Sequence, residues 1–262
     1  MTKDEVRRRL EFYRDLGVRT VYRREGHAAD DEHKAAEDQA AEDQAAEDQA
    51  AGGRRQAAAP AVLPVVLSLS PAHDNLSKIS EDIGDCKRCR LHEGRNRIVF
   101  GSGNEQAKLV FVGEGPGADE DEQGVPFVGR AGQLLTQMID GTARKEGIPI
   151  QRSDVYICNV VKCRPPENRT PQPDEMEICG QFLFRQLQTI RPKAICAMGS
   201  TAAKALLGTK EGVMRLRGKW HQWRDLPVMV TYHPSYLLRP YNQGAKKEAW
   251  EDLKKVLHFV YD

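Results

Sequence analysis

Four of the six cysteines in this 262-residue chain have the spacing of metal ligands. Cys86 and Cys89 form a C-x2-C pair, which presents two thiolates from a single turn. Cys163 and Cys179 are separated by 15 residues and complete a set of four. Four thiolates suit a zinc ion or a [4Fe–4S] cluster. Spacing alone does not choose between them, and zinc is favoured only as the commoner use. The sequence therefore predicts a metal centre and leaves the metal open.

A glycine-rich acidic segment, GEGPGADEDEQG, follows the apolar run KLVFV. A dinucleotide turn needs free backbone N–H groups for a pyrophosphate. Here Glu114 interrupts the glycines and four carboxylates follow at 119–122, so a phosphate would be repelled. The segment suits a developing cation, a water molecule or the polar edge of a neutral ligand. A solvated loop is the alternative for the run as a whole. Its place after a strand favours chemistry at Glu114 and Glu120.

Three other side chains are candidates for a binding pocket. Asn159 ends the apolar run VYICN, and His233 follows another such run and is held by Pro234. Phe127 lies in a loop held by a proline and two glycines, GVPFVGRAG, where its ring could stack on a flat base. The alternatives are a core aromatic for Phe127 and a structural role for His233.

The segment HPSYLLR continues from the histidine. Leu237 and Leu238 either pack in the core or wedge into a stack of bases. Ser235 and Arg239 are able to reach phosphates.

Apolar runs and helical patterns alternate through the second part of the chain. Strands are predicted at 109–112, 155–158, 194–198 and 228–231, and Cys158 and Cys196 lie inside two of them as buried thiols. Helices are predicted near 130–146, 174–190, 200–207 and 245–260. This alternation predicts an α/β fold with a parallel sheet covered on both faces, and ligands bind beyond the carboxyl ends of such strands.

The first 75 residues differ in composition from the rest. Residues 1–26 include a short amphipathic helical segment, and residues 27–75 hold three AAEDQ repeats followed by a linker-like GGRRQAAAPAVLP. No apolar stripe anchors the repeats, so 27–75 is predicted to be a disordered tether. The folded domain is predicted to span 76–262.

Charge and hydropathy narrow the possible partners. The first 59 residues carry 11 basic and 14 acidic side chains, and the rest carry 28 and 24. A mildly basic domain is compatible with DNA without requiring it. The charged N-terminus lacks a signal core, and no run of about 18 apolar residues predicts a membrane span. A cytoplasmic location is expected, where cysteines serve as ligands or core thiols more often than as disulfides.

Taken in order, the segments resemble the family 4 uracil-DNA glycosylases, the iron–sulfur class. The resemblance covers about residues 78–260 and rests on GEGPGADEDEQGVPFVGRAGQLL, NVVKCRPPENRTP, HPSYLLR and the four-cysteine set. It implies a three-layer α/β/α sandwich with a central four-stranded parallel sheet. It also implies a [4Fe–4S] cluster in place of zinc, and single- or double-stranded DNA containing uracil as substrate.

The resemblance implies roles for individual residues. His233 would donate to uracil O2, and Asn159 would read the N3/O4 edge. Phe127 would stack on the ring beside Gly115, while Glu114 and Glu120 would share water activation and cation stabilisation. Other uracil glycosylase families have Asp or Asn where Glu114 stands. A branch that traps DNA covalently uses a His in a KRRIH insertion, and this chain has PPENRTP there, which implies turnover.

Two other classes of function stay open from the residues alone. One is a DNA-binding or polymerase-accessory module without chemistry, which turnover on a uracil-containing oligonucleotide would exclude. The other is a cluster-bearing redox protein that binds a nucleotide, which the acidic turn disfavours. The partner of the N-terminal extension, if it has one, is not indicated by the sequence.

Overall fold

The computed structural model describes residues 74–239 and 242–262. These residues belong to one compact unit, Leu69–Asp262. The predicted helical extension at 1–26 and all but the last two residues of the predicted tether lie outside the described residues. The carboxylate of Asp74, one of those two residues, forms a buried ion pair with Arg185 at 2.7 Å.

A six-stranded sheet forms the centre of the described fold, in the order β1-β3-β2-β4-β6-β5. Its strands are β1 (Ser102–Gly103), β2 (Leu109–Gly113), β3 (Tyr156–Asn159), β4 (Ala194–Met198), β5 (Trp220–Trp223) and β6 (Leu226–Thr231). The middle four, β3, β2, β4 and β6, are parallel, which confirms the predicted four-stranded core. The edge strands β1 and β5 are antiparallel and were not predicted. β1 has only two residues and β5 is largely exposed, so neither has an apolar run.

Helices cover both faces of this sheet. They are α1 (Leu76–Ile83), α2 (Ala118–Gln123), α3 (Arg130–Glu146), α4 (Pro173–Ile190), α5 (Ser200–Leu207), α6 (Val213–Leu216), α7 (Pro234–Leu237) and α8 (Gln243–Tyr261). Short 3-10 turns occur at Arg90–His92, Arg152–Asp154 and Pro166–Asn168. Among the described helices, none is both long enough and apolar enough to cross a membrane.

Alternate residues of the central strands pack into two separate cores. Val110 and Val112 of β2 face a core shared with α1, α4 and α5. Leu109 and Phe111 face the opposite core, shared with α3 and α8. Because both faces are covered, the central strands β2 and β4 are apolar along their whole length. The result is the expected three-layer α/β/α sandwich.

Candidate active site

The carboxyl ends of the parallel strands bring Glu114, Asn159 and His233 to one edge of the sheet. Gly113, the last residue of β2, is paired in register with Asn159, the last residue of β3. His233 follows β6 by two residues, and its imidazole lies 5.6 Å from the Phe127 ring, centroid to centroid. The sequence-predicted pocket residues are therefore brought together.

Glycine at 113 makes room for the pocket. A Cβ there would lie 2.5 Å from the Asn159 Oδ1 and 2.6 Å from the Phe127 Cζ, closer than any real side chain tolerates. The buried Asn159 Oδ1 has no hydrogen-bond partner among the residues that the structure describes. An unpaired buried acceptor is costly unless a ligand supplies a donor, so this oxygen marks where a ligand N–H is expected.

The hydrogen bonds of His233 determine its tautomer. Its Nδ1 accepts from the backbone N–H of Ser235 at 3.2 Å and lies 2.7 Å from the Ser235 hydroxyl. The proton of the neutral ring must then be on Nε2, which faces away from this turn. Burial lowers the pKa of His233 to about 4, so the ring is a neutral donor near pH 7.

The two candidate carboxylates have different surroundings. The Glu114 Oε2 accepts a hydrogen bond from the Thr201 hydroxyl, near the start of α5. Burial raises the pKa of Glu114, as suits a group that accepts a proton. The Glu120 carboxylate instead accepts three backbone N–H bonds, from Gly117 at 3.1 Å and from Val128 and Gly129 at 2.9 Å each. Glu120 is thus engaged with its own loop.

The four predicted ligand thiols line one cavity. Cys86, Cys89, Cys163 and Cys179 all line this cavity, together with Arg95 and Lys162. N–H groups point at the sulfurs: Lys162 N lies 3.2 Å from the Cys179 Sγ and Arg95 Nη1 lies 3.4 Å from the Cys163 Sγ. Across the described ranges, no three His, Cys, Asp or Glu side chains converge closely enough for a single metal ion. Cys158 and Cys196 are buried elsewhere, as predicted.

Comparison with known proteins identifies the family. The model of the uracil DNA glycosylase superfamily matches residues 100–254. A type-4 uracil-DNA glycosylase of Thermotoga maritima is 46% identical over 184 residues, which cover 70% of this chain and 93% of that protein. This chain belongs to the type-4 uracil-DNA glycosylase family. The type-4 enzyme of Archaeoglobus fulgidus is 42% identical over 191 residues, with 70% and 92% covered. A type-5 enzyme of Pyrobaculum aerophilum is 29% identical over 169 residues, with 59% and 71% covered.

The segment predicted to contact DNA divides into exposed and buried residues. Ser235 and Arg239 are exposed and Leu238 is partly exposed. Leu237, also expected at the DNA, is 1% exposed and packs in the core with α3 and α8, so its side chain is not accessible to DNA in this conformation. Tyr236, which the sequence analysis did not single out, is 37% exposed and stacks on Tyr232 at 5.3 Å.

Two further residues near the pocket were missed. Thr201 follows β4, whose carboxyl end lies at the same edge of the sheet as the other site residues. Its place in GST directly after an apolar run was the signal that could have found it. Arg152 precedes β3 at the opposite end of that strand and contacts the Phe127 loop only through the tertiary fold. No sequence pattern indicates it.

Proposed function

We propose that this chain removes uracil from DNA by hydrolysing its N-glycosidic bond, leaving an abasic site for base excision repair. The observation that carries the proposal is the convergence of an unpaired buried amide oxygen, an aromatic ring and a neutral imidazole donor at one end of the sheet. Uracil offers a donor at N3 and acceptors at O2 and O4, so its edge complements these groups.

Each pocket residue has a distinct task in this proposal. The base is flipped out of the helix and stacks on Phe127. The Asn159 Oδ1 accepts from uracil N3–H while its amide N–H donates to O4. His233 Nε2–H donates to O2, where negative charge grows as the bond breaks. Gly115 allows the turn to pack closely against Val161, since a Cβ at this position would lie 2.8 Å from the Val161 Cγ2.

We assign water activation to Glu114. A water oxygen forms a bond to C1′ as the C1′–N1 bond breaks, and the electron pair of the broken bond leaves with uracil. The negative charge of the Glu114 carboxylate stabilises the cationic sugar as the bond breaks, and the carboxylate then accepts the proton of the attacking water. The Thr201 hydroxyl occupies Oε2 and leaves Oε1 for the water. Because Glu120 is saturated by backbone donors, we assign it to holding the Phe127 loop.

We further propose that Cys86, Cys89, Cys163 and Cys179 hold a [4Fe–4S] cluster. A cluster places its own iron and sulfide between the thiolates, so its ligands stand further apart than those of one zinc ion. The position of all four thiols around one cavity, together with membership of the type-4 family, supports the cluster. N–H donors aimed at the sulfurs suit its negative charge. Its role here is to tie together segments distant in sequence, and the glycosylase steps do not involve it.

DNA is proposed to approach along α7. Ser235 and Arg239 suit phosphates, and Leu238 is the leucine placed to enter the space left by the flipped base. Single strands need no such wedge because no pairing must be broken. Both single- and double-stranded uracil are therefore expected substrates.

An alkali-cleavage assay tests this function. Labelled oligonucleotides containing U·G, U·A or single-stranded U should be cleaved after incubation with the protein, and a T·G duplex should stay intact. Asn159→Asp is the matched specificity variant: it replaces the donor that O4 needs with an acceptor, so uracil excision should fall. The proposed function would be refuted if the uracil-containing oligonucleotides stay intact after incubation with the folded parent protein and alkali treatment.

A further inference from the structure

Phe127 has a backbone conformation that its residue type disfavours. Its φ is 55°, in the left-handed region where a Cβ meets the backbone. A non-glycine residue stays in that region only where its surroundings hold it, and such positions cluster at ligand sites. The ring of this residue is proposed to stack on uracil, so whatever holds its backbone also sets the position of the stacking surface.

The carbonyl side of the loop is held by Arg152. One guanidinium nitrogen, Nη2, donates to the carbonyl oxygens of Pro126 at 3.0 Å and Phe127 at 2.9 Å. The other, Nη1, donates to the Gly132 carbonyl at 3.2 Å and the Thr136 hydroxyl at 2.9 Å. The planar fork of an arginine can span these two sets of acceptors, whereas a lysine ammonium cannot.

The backbone of Arg152 is itself anchored. Its N–H donates to the Asp140 carboxylate on α3 at 2.8 Å. The guanidinium is therefore fixed between α3 and the loop, and does not depend on a flexible surface position.

The amide side of the same loop is held by Glu120. Its Oε1 accepts from the N–H groups of Val128 and Gly129, directly after Phe127. The loop thus lies between a cation on its carbonyls and an anion on its amides. Close packing completes the restraint, because a Cβ at Gly132 would lie 1.8 Å from the Phe127 oxygen.

We infer that Arg152 is a positioning residue for base recognition, which acts through the Phe127 backbone and does not touch the substrate. Its guanidinium presets the ring so that the flipped uracil meets a stacking surface already in place. This inference rests on the proposed function, since it assumes that Phe127 stacks on uracil. Pre-organisation of this kind strengthens binding because less ordering remains to be done when the ligand arrives.

A double-mutant cycle tests the inference. The variants are Arg152→Met, Arg152→Lys, Phe127→Ala and the Phe127→Ala/Arg152→Met pair, assayed on single-stranded uracil DNA well below the melting temperature of the least stable variant. Loss of a base–aromatic stacking contact corresponds to a loss of roughly 5- to 150-fold in binding or activity, so the excision activity of Phe127→Ala should fall by an amount in that range. The excision activity of Arg152→Met should fall about 5- to 20-fold, and that of Arg152→Lys should fall less.

Two features separate positioning from general support of the fold. In the double variant, Arg152→Met should reduce excision activity by less than about 2-fold beyond the loss caused by Phe127→Ala alone, because the ring that Arg152 positions is already absent. The loss should also appear in KM and in inhibition by free uracil more than in kcat, since stacking acts on the bound base before and during bond breaking. Arg224→Met is the matched control: this half-buried arginine lies in the β5–β6 hairpin, at the opposite end of the sheet, beside Trp223. It should leave KM and uracil inhibition unchanged.

The outcomes distinguish the inference from the function beneath it. The positioning role alone would be overturned if the activity losses of the two single variants multiply in the double variant. It would also be overturned if Arg152→Met keeps the parental KM and the parental inhibition by free uracil. Parental activity in Phe127→Ala would overturn the stacking role itself, and the inference with it. If Arg152→Met does not fold, the same comparison with Arg152→Lys decides, because that variant keeps the charge and loses the two-sided fork.

Discussion

Replacing His233 tests the mechanism at the atom where charge develops. The Ser235 N–H occupies Nδ1, so the ring presents Nε2–H to the base. With its pKa lowered to about 4, His233 is about 1% protonated at pH 6, whereas a histidine of pKa 6.5 would be about three quarters protonated. The structure therefore predicts a neutral donor throughout the range from about pH 5.5 to 8.

The expected loss follows from removing one donor to a developing anion. His233→Ala should slow the chemical step about 10²–10³-fold, or about 2.7–4 kcal/mol, with little change in DNA binding. His233→Gln should recover part of the rate, because its amide nitrogen reaches nearly as far as Nε2 and also donates.

Single-turnover excision across pH 5.5 to 8, run beside DNA-binding isotherms and thermal melts, checks this reasoning. The parent should show no inflection near pH 6.5 from His233. Any acid limb that comes from Glu114, whose pKa is raised by burial, should persist in His233→Ala. An inflection near 6.5 that disappears in His233→Ala would show that imidazolium is the active form. A stable His233→Ala enzyme with the parental rate would refute the mechanism.

Stability should show the same pKa shift. Since the folded pKa of His233 lies below the unfolded value, the unfolded chain binds more protons between about pH 4 and 6.5. The contribution of His233 to stability is therefore lost as pH falls from about 6.5 towards 4. The melting temperature of His233→Ala should fall less over that window than that of the parent, and equal slopes would contradict the lowered pKa.

Three further predictions follow from the site. Thr201→Val should slow excision about 10-fold because it releases the Glu114 carboxylate from its hydroxyl partner, whereas Thr201→Ser should keep the hydroxyl and most of the rate. Equal rates in the two variants would contradict a role for this contact. Leu238→Ala should lose more activity on duplex U·A than on single-stranded U. Leu237→Ala, at a buried position, should lose about 2–5 kcal/mol of stability and affect excision from both substrates alike. Equal losses of activity on both substrates for Leu238→Ala would indicate that Leu238 has a packing role. Cys179→Ser should lose the bound iron and the broad absorbance near ~400 nm, and the control variant Cys196→Ala should retain both. A parent protein that contains one zinc ion and no iron would contradict the cluster.

Much of the scaffold was predictable because it depends on local patterns. The strands at 109–112, 194–198 and 228–231 are continuous apolar runs, which a sheet covered on both faces requires. The ends of these runs point to Glu114 and His233, since parallel strands bring their carboxyl ends to one edge. The four cysteines proposed to bind the cluster were recognisable from their spacing.

Residue type and sequence position did not decide how neighbouring residues divide their roles. Glu114 and Glu120 lie six residues apart in one acidic run, yet only the fold directs backbone N–H groups to Glu120 and a threonine hydroxyl to Glu114. Adjacent leucines differ in the same way, because the single turn of α7 directs Leu237 into the core and leaves Leu238 partly exposed.

The sequence by itself determined the fold class and the family and indicated the candidate site residues, because these depend on periodicity, spacing and side-chain chemistry. The tertiary structure decided which nitrogen of His233 carries the proton and which residue holds Phe127 in place. Those properties depend on partners distant in sequence, such as Arg152, which lies 25 residues from the loop it restrains. Hydrogen-bond geometry between such partners exists only after the chain has folded, so no local pattern encodes it.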